Sequence, residues 1–184
     1  AGFFEKIHMN LNNNQRNLIK LLQMAYSAEL AAAYAYLGHW KSVKDSEERK
    51  EIQKIEAEEW QHRKLVGEML KDLGVEPNKW LEKKFSLIGR FIGLSCFCIG
   101  WLAPMYGAGK LERANIKEYE DAARYARDSG HQEFVDCLLT MAEVEWDHEK
   151  YFRDKVLSDS WSKKLPIWSK PPPKENIRTS FAEE

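Results

Sequence analysis

Two copies of a short pattern, Glu59-Trp60-Gln61-His62 and Glu145-Trp146-Asp147-His148, each put a carboxylate and an imidazole three residues apart. On a helix such residues share a face, so each pair offers two metal-ligating groups in one direction. A single Glu-x-x-His is common on solvated helices; here the surroundings carry the argument. Glu59 and His62 fill a gap in an apolar helical stripe between Ile55 and Val66, and Glu145 and His148 fill one between Met141 and Phe152. Two lone glutamates do the same, Glu29 between Ala25 and Ala32, and Glu118 between Ala114 and Tyr125. All six side chains are therefore expected to point into the interior of a helical bundle.

Four carboxylates in an apolar interior repel one another and lose their hydration, and the stripes supply no inward Lys or Arg to neutralise them. Two divalent cations would balance the four charges with the imidazoles neutral. One Glu from each of two helices plus Glu-x-x-His from each of two others is the ligand set of ferritin-like di-iron and di-manganese bundles. Carboxylate and imidazole together suit iron or manganese, and the lack of thiolate speaks against structural zinc. The chain repeats the device: Tyr36 follows Glu29 by seven residues, and Tyr125 follows Glu118 by seven. Tyr36 and Tyr125 are the candidate catalytic tyrosines. Each either packs as a core aromatic with a satisfied hydroxyl or hydrogen-bonds a ligand. Asp121 either accepts a proton from a ligand histidine or is solvated, whereas Glu58, Glu143 and Glu149 read as outward or rim residues.

Long helices are needed to position these groups, and proline permits them. Of six prolines only Pro77 and Pro104 precede residue 160. An Asn-rich stretch, Asn10 to Asn14, reads as a loop before a first helix from Gln15 to Ser42 with Leu18, Leu22, Ala25, Ala32 and Tyr36 inward. A second helix is expected to start at Asp45 with Glu48 completing a capping box and to stop at Gly74. A third spans Lys110 to Arg127 with Leu111, Ala114 and Tyr125 inward. The fourth begins near Ser129, with Gln132 completing another box, and runs to Leu157.

Between the second and third helices, no charged residue occurs from Phe91 to Gly109. Small residues recur there at spacings of three and four (Ser86, Gly89, Gly93, Cys96, Gly100, Ala103, Gly107), the pattern by which one helix approaches another backbone to backbone. Phe91, Leu94, Phe97 and Trp101 lie on other faces. The expected architecture is thus all-α: a four-helix bundle over residues 1–157 with an additional apolar crossover helix over 85–109, then an extended Pro-containing tail over 158–184. A formal net charge of −1 gives no basic face for nucleic acid. Cys96, Cys98 and Cys137 form no Cys-x-x-Cys motif and read as small apolar residues of a reducing compartment. The opening Ala1-Gly-Phe-Phe-Glu-Lys lacks the pattern of a secretory signal.

With these residues in view, the chain resembles the demethoxyubiquinone hydroxylases of ubiquinone biosynthesis. The resemblance runs from Leu18 to Val156. It rests on the order Glu29, Glu59-x-x-His62, Glu118, Glu145-x-x-His148, on the two glutamates followed by Tyr36 and Tyr125, and on the Gly-rich apolar segment between the halves. The sequence departs from that family in reading Tyr26-Ser27-Ala28-Glu29 at the first ligand, in the Trp of both Glu-Trp-x-His copies and in the tail after Ser158. The likeness implies a di-iron monooxygenase that uses dioxygen and an external electron donor to hydroxylate a lipid-soluble ring such as a ubiquinone precursor. It would sit peripherally on the cytoplasmic face of a membrane, or on the matrix side of the mitochondrial inner membrane, through residues 85–109. That segment and the tail are also the expected contacts for a homo-oligomer or a larger membrane complex. The alternatives are a ferritin- or rubrerythrin-like iron-oxidising or peroxide-reducing protein, and a non-catalytic di-metal subunit of a membrane assembly.

Overall fold

A computed structural model describes residues 12–183; residues 1–11, including Asn10 and the Ala1–Lys6 opening, lie outside the described set, as does Glu184. Among the described residues the chain is entirely helical, as expected. It contains α1 (Asn13–Ser42), α2 (Ser46–Asp72), α3 (Lys79–Ser95), α4 (Leu102–Asp128) and α5 (Gln132–Ser158), then a 3-10 turn (Ser160–Lys164) and α6 (Asn176–Glu183).

The caps show why the helices begin and end where they do. Asn12 caps α1, its side chain accepting from the Gln15 N–H at 2.7 Å, so the helix starts inside the Asn-rich stretch. Asp45 caps α2 by accepting from the N–H groups of Glu47 and Glu48. Gly74, with φ +69°, ends it; the Gly74 and Val75 N–H groups return to the carbonyls of Lys71 and Leu70. The expected Ser129 cap is not found. The Ser129 hydroxyl instead bonds the carbonyls of Tyr125 and Ala126 at the end of α4, and the turn passes through Gly130 at φ +88° before α5 starts at Gln132.

The apolar core has two parts, and their membership fixes the topology. One contains Leu18, Leu22, Val66, Leu70, Ile116, Ala123 and Leu138. The other contains Ala32, Tyr36, Ile52, Ile55, Met105, Phe152 and Val156. Helix α1 enters the first part and ends in the second, and α2 runs the opposite way; α4 is parallel to α2 and α5 to α1. The α3 connection therefore crosses the full length of the bundle, the arrangement of ferritin-like folds with one long crossover. The ligand-type residues fall where the two core parts meet.

The crossover is not one helix over 85–109. Helix α3 starts earlier, at Lys79, and stops at Ser95; an elbow over Cys96–Trp101 turns through Gly100 at φ +81°, and α4 begins at Leu102. Pro104 sits in the first turn of α4, where no helical partner for its missing N–H is required. The small-residue stripe works only in part. A methyl group at Gly89 would collide with the Ala31 backbone of α1, and one at Gly93 with the Tyr34 carbonyl, whereas Gly100 and Gly107 have nothing within 4 Å. On the far side of α3, Leu87, Phe91 and Leu94 are each at least 70 % exposed. No helix among the described residues is long and apolar enough to cross a membrane.

The tail is laid against the bundle. The Pro166 carbonyl accepts from Tyr106 of α4 at 2.6 Å, and the Pro172 carbonyl accepts from Trp146 of α5 at 2.8 Å. Lys174 pairs with Asp147, and Arg178 of α6 with Glu143 and Asp136.

Candidate metal centre

Each of the four bundle helices delivers its ligand-type residues to the junction of the two core parts. Helix α1 supplies Glu29, α2 supplies Glu59 and His62, and α5 supplies Glu145 and His148; none is more than 3 % exposed. Helix α4 supplies Glu112, fully buried, and not Glu118. Glu29, Glu59, His62 and Glu145 offer ligand atoms within 4.8 Å of one another, and so do Glu59, Glu112, Glu145 and His148. Glu59 and Glu145 belong to both groups. The two groups thus adjoin, and each could hold a metal ion.

The expectation for α4 is therefore corrected: Glu118 and Tyr125 give way to Glu112 and Tyr119. At about 100° per residue a shift of six places turns a side chain roughly 120° around the helix, which carries Glu118 to the surface. Tyr125 only edges the apolar core. Leu111 and Ala114, expected inward, are exposed. The signal that distinguishes the registers is the stripe Met105, Gly109, Glu112, Ile116, Tyr119, Ala123, Ala126, which is buried throughout. Tyr119 follows Glu112 by seven residues, so the spacing rule holds at the corrected position.

The two tyrosines are exchanged between the halves. Tyr36 of α1 donates to Oε1 of Glu112 on α4, and Tyr119 of α4 donates to Oε1 of Glu29 on α1. Asn115 donates to the other Glu112 oxygen at 2.9 Å. Asp121 plays no part; it pairs with Lys117 and Arg124. The partner of a ligand histidine is instead Glu58, which lies 2.9 Å from Nε2 of His148. With Nε2–H donated outward, Nδ1 of His148 keeps its lone pair for the interior. Glu149, expected at the rim, is fully buried. It accepts from Arg153 and from Trp168 of the tail, each at 2.8 Å. Arg153 is the one buried Lys or Arg among the described residues, and it belongs to Glu149 and not to the centre.

The inner atoms lack partners. Oε2 of Glu29, both carboxylate oxygens of Glu59 and of Glu145, and Nδ1 of both histidines are buried without a hydrogen bond. Nδ1 of His62 lies 3.1 Å from Oε1 of Glu145, and Nδ1 of His148 lies 3.3 Å from Oε1 of Glu59. Burial pushes Glu29, Glu59 and Glu112 above the usual carboxylate range, reinforced in each case by Glu145. Burial acts on Glu145 in the same direction, but His148 and His62 overcome it and hold that carboxyl low. Both imidazoles, although disfavoured as cations by burial, are raised by Glu145. Buried charges of this kind are normally paired or metal-bound, and the unpartnered oxygen and nitrogen atoms are those through which two cations would be held.

This constellation agrees with a family comparison: the model of the ubiquinone biosynthesis protein COQ7 matches residues 16–155. The chain belongs to the COQ7 family. The demethoxyubiquinone hydroxylases that the sequence resembled are this family. The COQ7 match includes all six ligand-type residues and both exchanged tyrosines, and leaves out the tail with its 3-10 turn and α6. No curated protein and no solved structure matches the chain.

Proposed function

We propose that this COQ7-family protein is a peripheral membrane di-iron monooxygenase that hydroxylates the ring of a lipid-soluble ubiquinone precursor, using dioxygen and an external electron donor. The observation that carries this reading is the buried set of four glutamates and two histidines, in which both oxygens of Glu59 and Glu145, one of Glu29 and Nδ1 of both histidines have no hydrogen-bond partner. Glu29, Glu59, His62 and Glu145 would hold one ion, and Glu59, Glu112, Glu145 and His148 the other, with Glu59 and Glu145 shared. When bound, iron would supply the redox chemistry with dioxygen that no side chain of this chain can perform.

The protein's own part is to orient and to exclude water. Tyr36, Tyr119 and Asn115 each hold an oxygen of a lone glutamate. Glu58 sets the tautomer of His148. The apolar residues above and below the centre keep bulk water out, which strengthens each electrostatic contact inside. The exposed ridge of Leu87, Phe91, Leu94, Phe97 and Ile99, with Lys83, Lys84 and Arg90 on the same helix, fits a membrane interface.

Purified protein should contain close to two metals per chain by elemental analysis. With iron, a reductant and dioxygen, it should add one oxygen atom to a short-chain quinone lacking that ring substituent, as seen by mass spectrometry. Two metals without oxygen insertion would leave a metal protein but defeat the hydroxylase reading. Absence of metal from the folded protein would defeat both.

A further inference from the structure

The tail beyond the COQ7-matched residues sends the ring of Trp168 into the seam between α4 and α5. The ring is partly buried against the core part that contains Met105 and Phe152, and it meets Tyr106 of α4 edge-on at 5.3 Å between ring centres. Its seat exists because residue 109 is glycine. A methyl group there would stand 2.4 Å from the indole and 3.0 Å from Cβ of Phe152, inside van der Waals contact. The indole N–H donates to Oε1 of Glu149 at 2.8 Å. Glu149 is fully buried; its other donor is Arg153, and its Oε2 has no hydrogen-bond partner. The backbone around Trp168 is pinned as well: the carbonyls of Pro166, Ser169 and Pro172 accept from Tyr106, Arg113 and Trp146.

Two connections lead from this ring to the metal ligands, and both end in the same ligand group. Through its N–H, Trp168 restrains Glu149, which follows His148 directly and lies one turn beyond Glu145 on α5. Through packing, it rests on Gly109 beside Phe152. The Phe152 ring stacks on Tyr36 at 5.6 Å between centres, and Tyr36 donates to Glu112. Gly109 itself stands one turn before Glu112 on α4. Glu112 and His148 are the two members of their group that the Glu29–Glu59–His62–Glu145 group does not share. Glu29, in the other group, is steadied by Tyr119. Removing the indole would leave buried Glu149 with Arg153 alone, and would open a space over Gly109 that water can fill beside a carboxylate.

We propose that Trp168 is a positioning residue for the Glu59–Glu112–Glu145–His148 group: it plugs the α4–α5 seam and fixes Glu149, so that the ion of this group depends on the docked tail and its neighbour does not. The proposal rests on the two-metal reading above.

The test titrates the metal-free full chain with cobalt(II), whose visible absorption reports its coordination, and fits the affinities of the first and second ions. Wild type should bind two. Trp168→Ala should bind the second ion about tenfold more weakly, the lower end of the loss seen when groups behind a metal ligand are removed, and should keep the first. Trp168→Phe retains a ring over Gly109 without the N–H and should show the same selective loss at smaller size, so the outcome does not depend on the alanine variant folding. Arg178→Ala loosens the far end of the tail and should bind both ions as wild type does. In a Glu112→Ala background, which removes a ligand of this group, adding Trp168→Ala should change the remaining ion's affinity by no more than about twofold, the limit expected of uncoupled sites. Wild-type affinities in both Trp168 variants would overturn the proposal and leave the metal reading intact. Equal weakening of both ions, or the same loss in Arg178→Ala, would also overturn it, since the tail would then act through general stability. Failure of folded wild type to take up cobalt would overturn the metal reading itself and the proposal with it.

Discussion

The α1–α2 and α4–α5 hairpins are near copies on the inside and unlike on the outside. Inside, each gives a lone glutamate, a tyrosine seven residues on and a Glu-Trp-x-His. Outside, α1 is covered by α3 through contacts that only glycine permits, at Gly89 and Gly93, and α3 presents an apolar ridge. The α4–α5 hairpin is covered by the tail through mixed contacts, with Trp168 bonding Glu149 and packing on Gly109, Ile177 buried in the core, and Arg178 paired with Glu143 and Asp136. The repeated glutamates, histidines and tyrosines face one another across one junction, while the repeated tryptophans lie outside it, Trp60 exposed and Trp146 against the tail. The outer faces differ, one ending in an exposed apolar ridge and the other covered by the tail.

Breaking the inner likeness should give the largest effect. Glu145→Ala removes a residue common to both ligand groups, and metal content should fall from near two per chain by at least one; full occupancy would refute the assignment. Glu112→Ala should likewise lose one ion, while Glu118→Ala should keep both, which tests the corrected register of α4. Next come the outer faces. Gly89→Leu forces a side chain into the Ala31 backbone and should cost at least about 3 kcal/mol, beyond the usual overpacking range because backbone must shift. A melting curve that does not move would show that α3 is not seated on α1. On the other hairpin, Trp168→Ala removes a donor from buried Glu149 and should cost about 2 kcal/mol, read as a lower denaturant midpoint. Smallest is Gly107→Ala, in a helix interior with nothing within 4 Å, which should stabilise by roughly 0.5–1 kcal/mol.

Titration sharpens the same contrast. In the metal-free fold Glu29, Glu59 and Glu112 have raised pKa values, and so do His62 and His148. Groups with raised folded values stabilise below their unfolded pKa and lose that contribution as pH rises through the folded value. Metal-free protein should therefore melt at lower temperature as pH rises from the ordinary carboxylate range through neutrality. Metal uptake must displace those protons, so apparent affinity should increase over the same range. A metal-free melting temperature that climbs toward neutral pH would contradict the buried acid cluster.

Much of this was legible because charge stands out in a long apolar stripe. Glu29, Glu59, His62, Glu145 and His148 could be located from the periodicity of α1, α2 and α5, whose stripes are unambiguous. Helix α4 was harder. Its start was hidden by Pro104, which a first turn tolerates, and it carries Glu112, Glu118, Glu120 and Asp121 in close succession. Counting from Leu111 and not from Met105 selects Glu118, and the seven-residue tyrosine spacing could not break the tie because Tyr119 and Tyr125 both satisfy it. The roles of Glu58 and of Trp168 depend on neighbours far away in the chain, and no local pattern announces them.

The exchanged tyrosines make the hairpins hold each other's hardware. A hairpin isolated from its twin would keep three ligands and lose the hydroxyl that steadies its lone glutamate, because that hydroxyl is grown on the opposite copy. The lone glutamates are therefore held in place only when the two hairpins are packed together.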